Sequence, residues 1–201
     1  MAKKLNKSRM RNSKIILISV LFICFLTKAF VPYETETHEI VEYIGYVLIA
    51  ICALGRMYST AFLGGYKNEK LITYGAFSVV RNPLYFFSLL GMTGIALISG
   101  HIVIIVAVPV VFVFIYHYLI GREEGFLLEA FGQEYKDYTA KTPRIIPDFR
   151  LHNAPETVGV VPKYLNKAFK DAIWWFAAFP VLELAEYVQE HGWIDPIFVI
   201  P

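Results

Sequence analysis

Five apolar runs, at residues 15–31, 40–63, 84–99, 102–120 and 172–188, take up most of the chain. A bilayer core of about 30 Å needs roughly 17–25 helical residues to cross it, and these runs fall at or just under that length. In lipid the backbone must satisfy its own hydrogen bonds, so the runs are expected as helices and not as open strands. Hydrophobic residues make up 56% of the 201 positions, too many for an ordinary soluble domain. The expectation is an all-α, polytopic transmembrane bundle of about five spans. Only Gly100 and His101 separate the third and fourth runs, which predicts a tight helical hairpin. The fifth run carries Glu183 and Glu186. Each costs about 2.5–3.5 kcal/mol at a span's centre, so this run lies partly in the interface or turns its carboxylates towards protein.

Basic residues set the orientation. Lys3, Lys4, Lys7, Arg9, Arg11 and Lys14 precede the first run. Arg56, Lys67, Lys70 and Arg81 surround the connection from the second to the third. Arg122, Lys136, Lys141, Arg144, Arg150, Lys163, Lys167 and Lys170 follow the fourth. Of the 19 Lys and Arg residues only Lys28 falls on the other side, where Glu34, Glu36 and Glu39 lie. The positive side is cytosolic, which predicts a cytosolic amino terminus. No small-x-small cleavage site follows Leu26, the chain reading Thr27-Lys28-Ala29-Phe30, so the first run is expected as a retained span and not a signal peptide. The sequon Asn6-Lys7-Ser8 then stays in the cytosol. Cys24 and Cys52 lie inside apolar runs and read as buried thiols. His101 and His191 are expected as exposed caps, His38 and His152 as loop residues, and His117 at the membrane interface. No His/Cys/Asp cluster has metal-ligand spacing, and no dinucleotide fingerprint occurs.

Two polar stretches at the cytosolic mouths carry the chemistry. In Lys70–Tyr85, Gly75 permits a turn that a bulkier residue resists. Pro83 disfavours helix at Asn82 and opens the next one. Arg81 then lies near a helix amino end, a setting that favours a carboxylate; a lipid-phosphate anchor is the plainer alternative. In Glu123–Pro147, the residues Glu124, Leu128, Phe131, Tyr135 and Tyr138 recur at helical steps and define one face. A carboxylate at the head of an aromatic stripe needs a partner. Glu123 and Glu124 together suit an ammonium or a ribose, although for a lone Glu-Glu pair a solvated helix start is the usual explanation.

The two stretches resemble the signatures of the isoprenylcysteine carboxyl methyltransferase and phospholipid methyltransferase family. The first reads Leu71-Ile72-Thr73-Tyr74-Gly75-Ala76-Phe77, then Arg81-Asn82-Pro83-Leu84-Tyr85. The second reads Glu123-Glu124, Leu127, Phe131-Gly132, Tyr135, Tyr138 and Arg144 to Pro147. The match covers about residues 40–150. Ala76 stands where the family has proline or valine, Phe77 where it has tyrosine, and Asn82 where it commonly has histidine.

The resemblance implies methyl transfer from S-adenosyl-L-methionine to a lipid-borne acceptor, at a cofactor pocket on the cytosolic side. By similarity Leu71, Ile72, Asn82, Pro83, Leu84, Tyr85 and Glu123 contact the cofactor, with Thr73, Gly75, Phe77 and Glu124 close by. Arg81 and Glu124 are the expected catalytic residues, and no metal site is expected. Residues 1–150 would form the methyltransferase core and 151–201 an extension with a further membrane helix. The implied partners are membrane lipids and a lipid or prenylated acceptor from the bilayer, with no nucleic acid. Carboxyl methylation of an isoprenylcysteine is the leading expectation. The alternatives are phospholipid or amine N-methylation, and a non-enzymatic transporter or scaffold in which Glu183 and Glu186 relay protons or cations.

Overall fold

The computed structural model describes residues 35–64, 69–193 and 198–200, together with 15, 18–20, 22–24 and 26–29 near the amino terminus. The basic run Lys3–Lys14, the sequon, Glu34 and Lys67 lie outside the described residues, as does part of the first expected span. Among the described residues the architecture is helical, apart from a parallel pair of three-residue strands, β1 (Thr27–Ala29) and β2 (Phe198–Ile200), that joins the two ends of the chain. The helices are α1 (Glu36–Leu63), α2 (Ala76–Val79), α3 (Pro83–Ile98), α4 (Ile102–Lys141) and α5 (Pro162–Glu190). A single 3₁₀ turn, Phe149–Leu151, lies between α4 and α5.

Local chemistry fixes the boundaries. Thr35 caps α1 by accepting from the amide of His38 at 3.3 Å. Pro83 opens α3 at its first position, where a missing N–H costs nothing. Gly100, at φ +65, makes the reversal between α3 and α4.

Contacts order the helices as an antiparallel row. Against α3, the Gly45 and Gly94 backbones meet so closely that a Cβ on either would come within 2.7 Å of the other's carbonyl oxygen. One end of the bundle therefore gathers the start of α1, the α3–α4 turn and the end of α5, and the other gathers the end of α1, the start of α3 and the start of α5. Against α5, Tyr46 meets Phe179 with ring centres 4.6 Å apart, Arg56 faces Asp171 at 3.9 Å, and Gly64 meets Tyr164. Small residues at such crossings let helix backbones approach where lipid supplies no hydrophobic drive. The core runs through Ile49, Tyr85, Met92, Ile95, Ile104, Phe112, Tyr116 and Leu182.

Two helices, α1 and α4, are long and apolar enough to cross a membrane, and α3 is apolar but shorter. Large apolar side chains stand outward on α4, with Phe114 82% exposed. Cys24 and Cys52 are free and buried, as their settings required. Two histidines differ from expectation. His38 lies in the first turn of α1 and is buried. His101 is 1% exposed, because its ring bridges the Ser99 carbonyl and the Thr27 hydroxyl at the base of the turn. His191 is exposed.

Candidate functional site

The 70–85 stretch folds as a turn, a single helical turn and a break. Gly75 has φ +61, and a Cβ there would come within 2.5 Å of the Phe62 ring, so both conformation and space demand glycine. After α2, Val80 is extended, and Asn82 leads into α3. From the other direction α4 runs well past its apolar half. Gly132, at φ +53 and ψ −119, breaks it and re-aims its last turns.

The chain then doubles back over the first stretch. Arg81 donates its amide to the Pro143 carbonyl at 2.9 Å, Asp148 to Val79 at 2.9 Å, and Gly75 to Asn153 at 2.7 Å. The Asn153 amide donates to the Ser78 hydroxyl at 3.0 Å. Residues 143–153 are thus a strap running antiparallel to 75–81. The Tyr138 hydroxyl donates to the Phe77 carbonyl at 2.7 Å and closes the same contact from α4. The two signature stretches form one structure.

At its centre lies Glu124. Its Oε2 accepts from Arg144 Nε at 2.9 Å. Its Oε1 accepts from Asn82 Nδ2 at 3.1 Å and faces Arg81 Nη1 at 3.5 Å. Asn82 also donates to the Arg144 carbonyl at 3.1 Å. The Glu124 side chain is only 16% exposed, so charge-assisted bonds here are screened little by water. Beside this cluster Tyr135 and Tyr138 pack on Leu71, with Leu127 and Phe131 against them. Burial, helped by the Glu124 charge and opposed by Arg81, pushes the Tyr135 hydroxyl up to about 12. Burial raises Tyr138 too.

Several expected site residues meet here: Arg81 and Asn82 both engage Glu124, and Leu71 lines the same cluster. Glu123 precedes Glu124 in α4, and its Oε1 is buried with no hydrogen-bond partner among the described residues, as is Arg81 Nε. Ile72, Gly75 and Pro83 are buried, Thr73 is exposed, and Phe77 and Leu84 are partly covered. Tyr85 turns inward, 4% exposed, with its ring 5.3 Å from that of Tyr116.

The expected straight stripe from Glu124 to Tyr138 needs correcting. Leu128 is exposed while its neighbour Leu127 packs inward, and the Gly132 break interrupts the helix before Tyr135 and Tyr138. Sequence reasoning also passed over Arg144 as the partner of Glu124; its place in the second signature was the available signal. Nor was Arg56 foreseen. It donates to Ser88 Oγ at 2.6 Å, and its guanidinium lies 5.8 Å from the Trp175 ring centre, joining α1, α3 and α5 below the cluster. No group of three or more His, Cys, Asp or Glu residues poised for a metal ion occurs among the described residues.

Comparison with known proteins follows the same stretch. The model of a family described as phospholipid methyltransferase matches residues 41–134, so the resemblance read from the two signatures is borne out. The cobalt-zinc-cadmium resistance protein CzcN of Cupriavidus metallidurans is 26% identical over 149 residues, covering 74% of this chain and 68% of the relative. The nickel-cobalt-cadmium resistance protein NccN of Alcaligenes xylosoxydans is 23% identical over 186 residues, covering 92% and 87%. A probable protein-S-isoprenylcysteine O-methyltransferase of Oryza sativa is 27% identical over 143 residues, covering 66% and 75%. No solved structure gives a significant match. With the apolar helices, the family match and the rice relative support a membrane methyltransferase.

Proposed function

We propose that this chain, whose residues 41–134 match the model of the phospholipid methyltransferase family, is an S-adenosyl-L-methionine-dependent methyltransferase of the membrane, acting on a carboxylate carried by a lipid or prenylated acceptor. The observation that carries this reading is the joining of both signature stretches around Glu124. The site lies at the bundle end that collects Arg81, Arg122, Arg144 and Lys163, which supports a cytosolic site, a five-span topology and a cytosolic amino terminus.

The residues fit the cofactor. Glu123 Oε1 and Arg81 Nε are buried polar atoms without hydrogen-bond partners among the described residues, an acceptor and a donor of the kind an amino-acid zwitterion requires. Bound there, S-adenosyl-L-methionine supplies an electrophilic methyl carbon. Glu123 would accept a hydrogen bond from its ammonium or a ribose hydroxyl, and Arg81 would offer its Nε–H to the carboxylate. Glu124 fixes the Arg81 guanidinium against Asn82 and Arg144 and so acts as a positioning residue. Asn82, where histidine is common, serves as a two-way brace. The strap 143–153 is hydrogen-bonded along the turn and fixes it in place, which suits a displacement that depends on alignment.

Carboxyl methylation is preferred because the acid–base groups described at the centre are already committed, Glu123 to the cofactor in this reading. Both Glu124 oxygens are engaged, and Tyr135 keeps its proton throughout the physiological range. A carboxylate acceptor needs no base, whereas an amine must first lose a proton. The family description favours the second reading, N-methylation of an amino-phospholipid. Labelled S-adenosyl-L-methionine incubated with prenylcysteine analogues, and separately with amino-phospholipids, distinguishes them. Base-labile methyl ester on the prenylcysteine is expected; label on the phospholipid amine alone would overturn the carboxylate reading.

A further inference from the structure

We propose that the opening turns of α5 form a docking site for the phosphate headgroup of anionic phospholipid in the leaflet beside the site. Lys163, Lys167 and Lys170 recur at steps of four and three, and Trp174 follows four residues later, so all four share one face. All four are exposed, Trp174 by 66%. No ion pair among the described residues engages the lysines. The one acid in the first ten residues of α5, Asp171, turns away to face Arg56. The positive charge of the stripe is therefore unmatched within its own helix.

Its level in the bundle identifies the occupant. Tyr164 packs on Gly64, at the end of α1, one of the two helices long and apolar enough to cross a membrane. The lysines therefore stand where α1 leaves the hydrocarbon. From Lys163 to Lys170 the helix rises about 10 Å, comparable to the polar headgroup layer. Past Lys170 the outward side turns apolar and aromatic, with Ile173, Trp174 and Phe176 exposed. Lysines stacked above an interfacial tryptophan match an anionic headgroup above acyl chains. The inference gives a role to a segment beyond the family match, and it stands without the methyltransferase reading.

The test uses the full chain in nanodiscs of phosphatidylcholine with graded phosphatidylglycerol, counting retained anionic lipid by native mass spectrometry. Replacing all three lysines (K163Q/K167Q/K170Q) is expected to lower phosphatidylglycerol retention about tenfold or more, since each juxtamembrane charge is worth about fivefold. The arginine triple variant (K163R/K167R/K170R) should restore retention. The control K136Q/K141Q removes unpaired charge elsewhere on the same side and should retain lipid as the parent chain does. Retention unchanged in the glutamine variant, or lost equally in the control, would overturn the proposal. So would displacement of the lipid by soluble glycerol phosphate, which would show a free-phosphate site. Should the triple variant not fold, Lys167→Gln against Lys136→Gln gives the same comparison with a smaller expected difference.

Discussion

At the scale of the residue, adjacent glutamates have opposite situations. Glu124 is bonded on both oxygens, whereas Glu123 holds a buried oxygen without a partner among the described residues. Glu124→Gln leaves two guanidiniums without their counter-charge. The expected cost is on the order of 3 kcal/mol of stability, read as a lower melting temperature in detergent. Glu123→Gln should leave melting nearly unchanged, so equal melting shifts in the two variants would refute this division. Tyr135 makes a prediction in pH. Its folded pKa of about 12 lies above the ordinary 10.0, so its contribution to stability is whole below pH 10 and is lost as pH rises towards 12. Tyr135→Phe should flatten part of that alkaline loss; an unchanged alkaline limb would contradict it. The residue types of this centre were readable from the chain, because an Arg, an Asn and a Glu-Glu pair in two spaced signatures announce it. That Glu124 needs a partner was readable too; that Arg144 supplies it was not, since that segment closes over the centre only in three dimensions.

At the scale of the element, Gly132 separates pattern from geometry. Helical spacing alone runs Glu124 to Tyr138 along one unbroken face, and a single residue at φ +53 interrupts it between Phe131 and Tyr135. The Phe131-Gly132 pair was visible, but glycine inside an apolar period does not say whether it continues the helix or breaks it. Alanine at this position meets no atom within 4 Å, so any effect is backbone strain. Gly132→Ala should cost about 1–2 kcal/mol, whereas Gly125→Ala in the same helix, with equally open surroundings, should gain up to about 1 kcal/mol. Loss of similar size in both would show that the break is not what matters. Helix ends were easier to foresee: Pro83 and the Gly100-His101 turn sit where their chemistry requires. The burial of His101 was not foreseeable, as it depends on Thr27 from a distant segment.

At the scale of the whole molecule, apolar runs and basic clusters anticipated the row of helices and the end at which the signatures meet. They did not anticipate how α5 joins that row, through Arg56, Asp171 and Trp175 and through the bond from Tyr46 to Glu183. Glu183 accepts the Tyr46 hydroxyl at 3.1 Å and remains exposed. The antiparallel order predicts sidedness. In a chain with Cys24 and Cys52 replaced by serine, Gly192→Cys should label from outside intact cells and Gln133→Cys only after permeabilisation. Labelling of both from one side would contradict five spans. The central claim, that the joined signatures hold S-adenosyl-L-methionine, is tested most directly by calorimetric titration of the folded, purified chain with S-adenosylhomocysteine. Saturable heat in the parent chain, abolished in a Glu123→Ala variant that melts normally, is the predicted result. No heat at high micromolar ligand, or undiminished affinity in the variant, would contradict it.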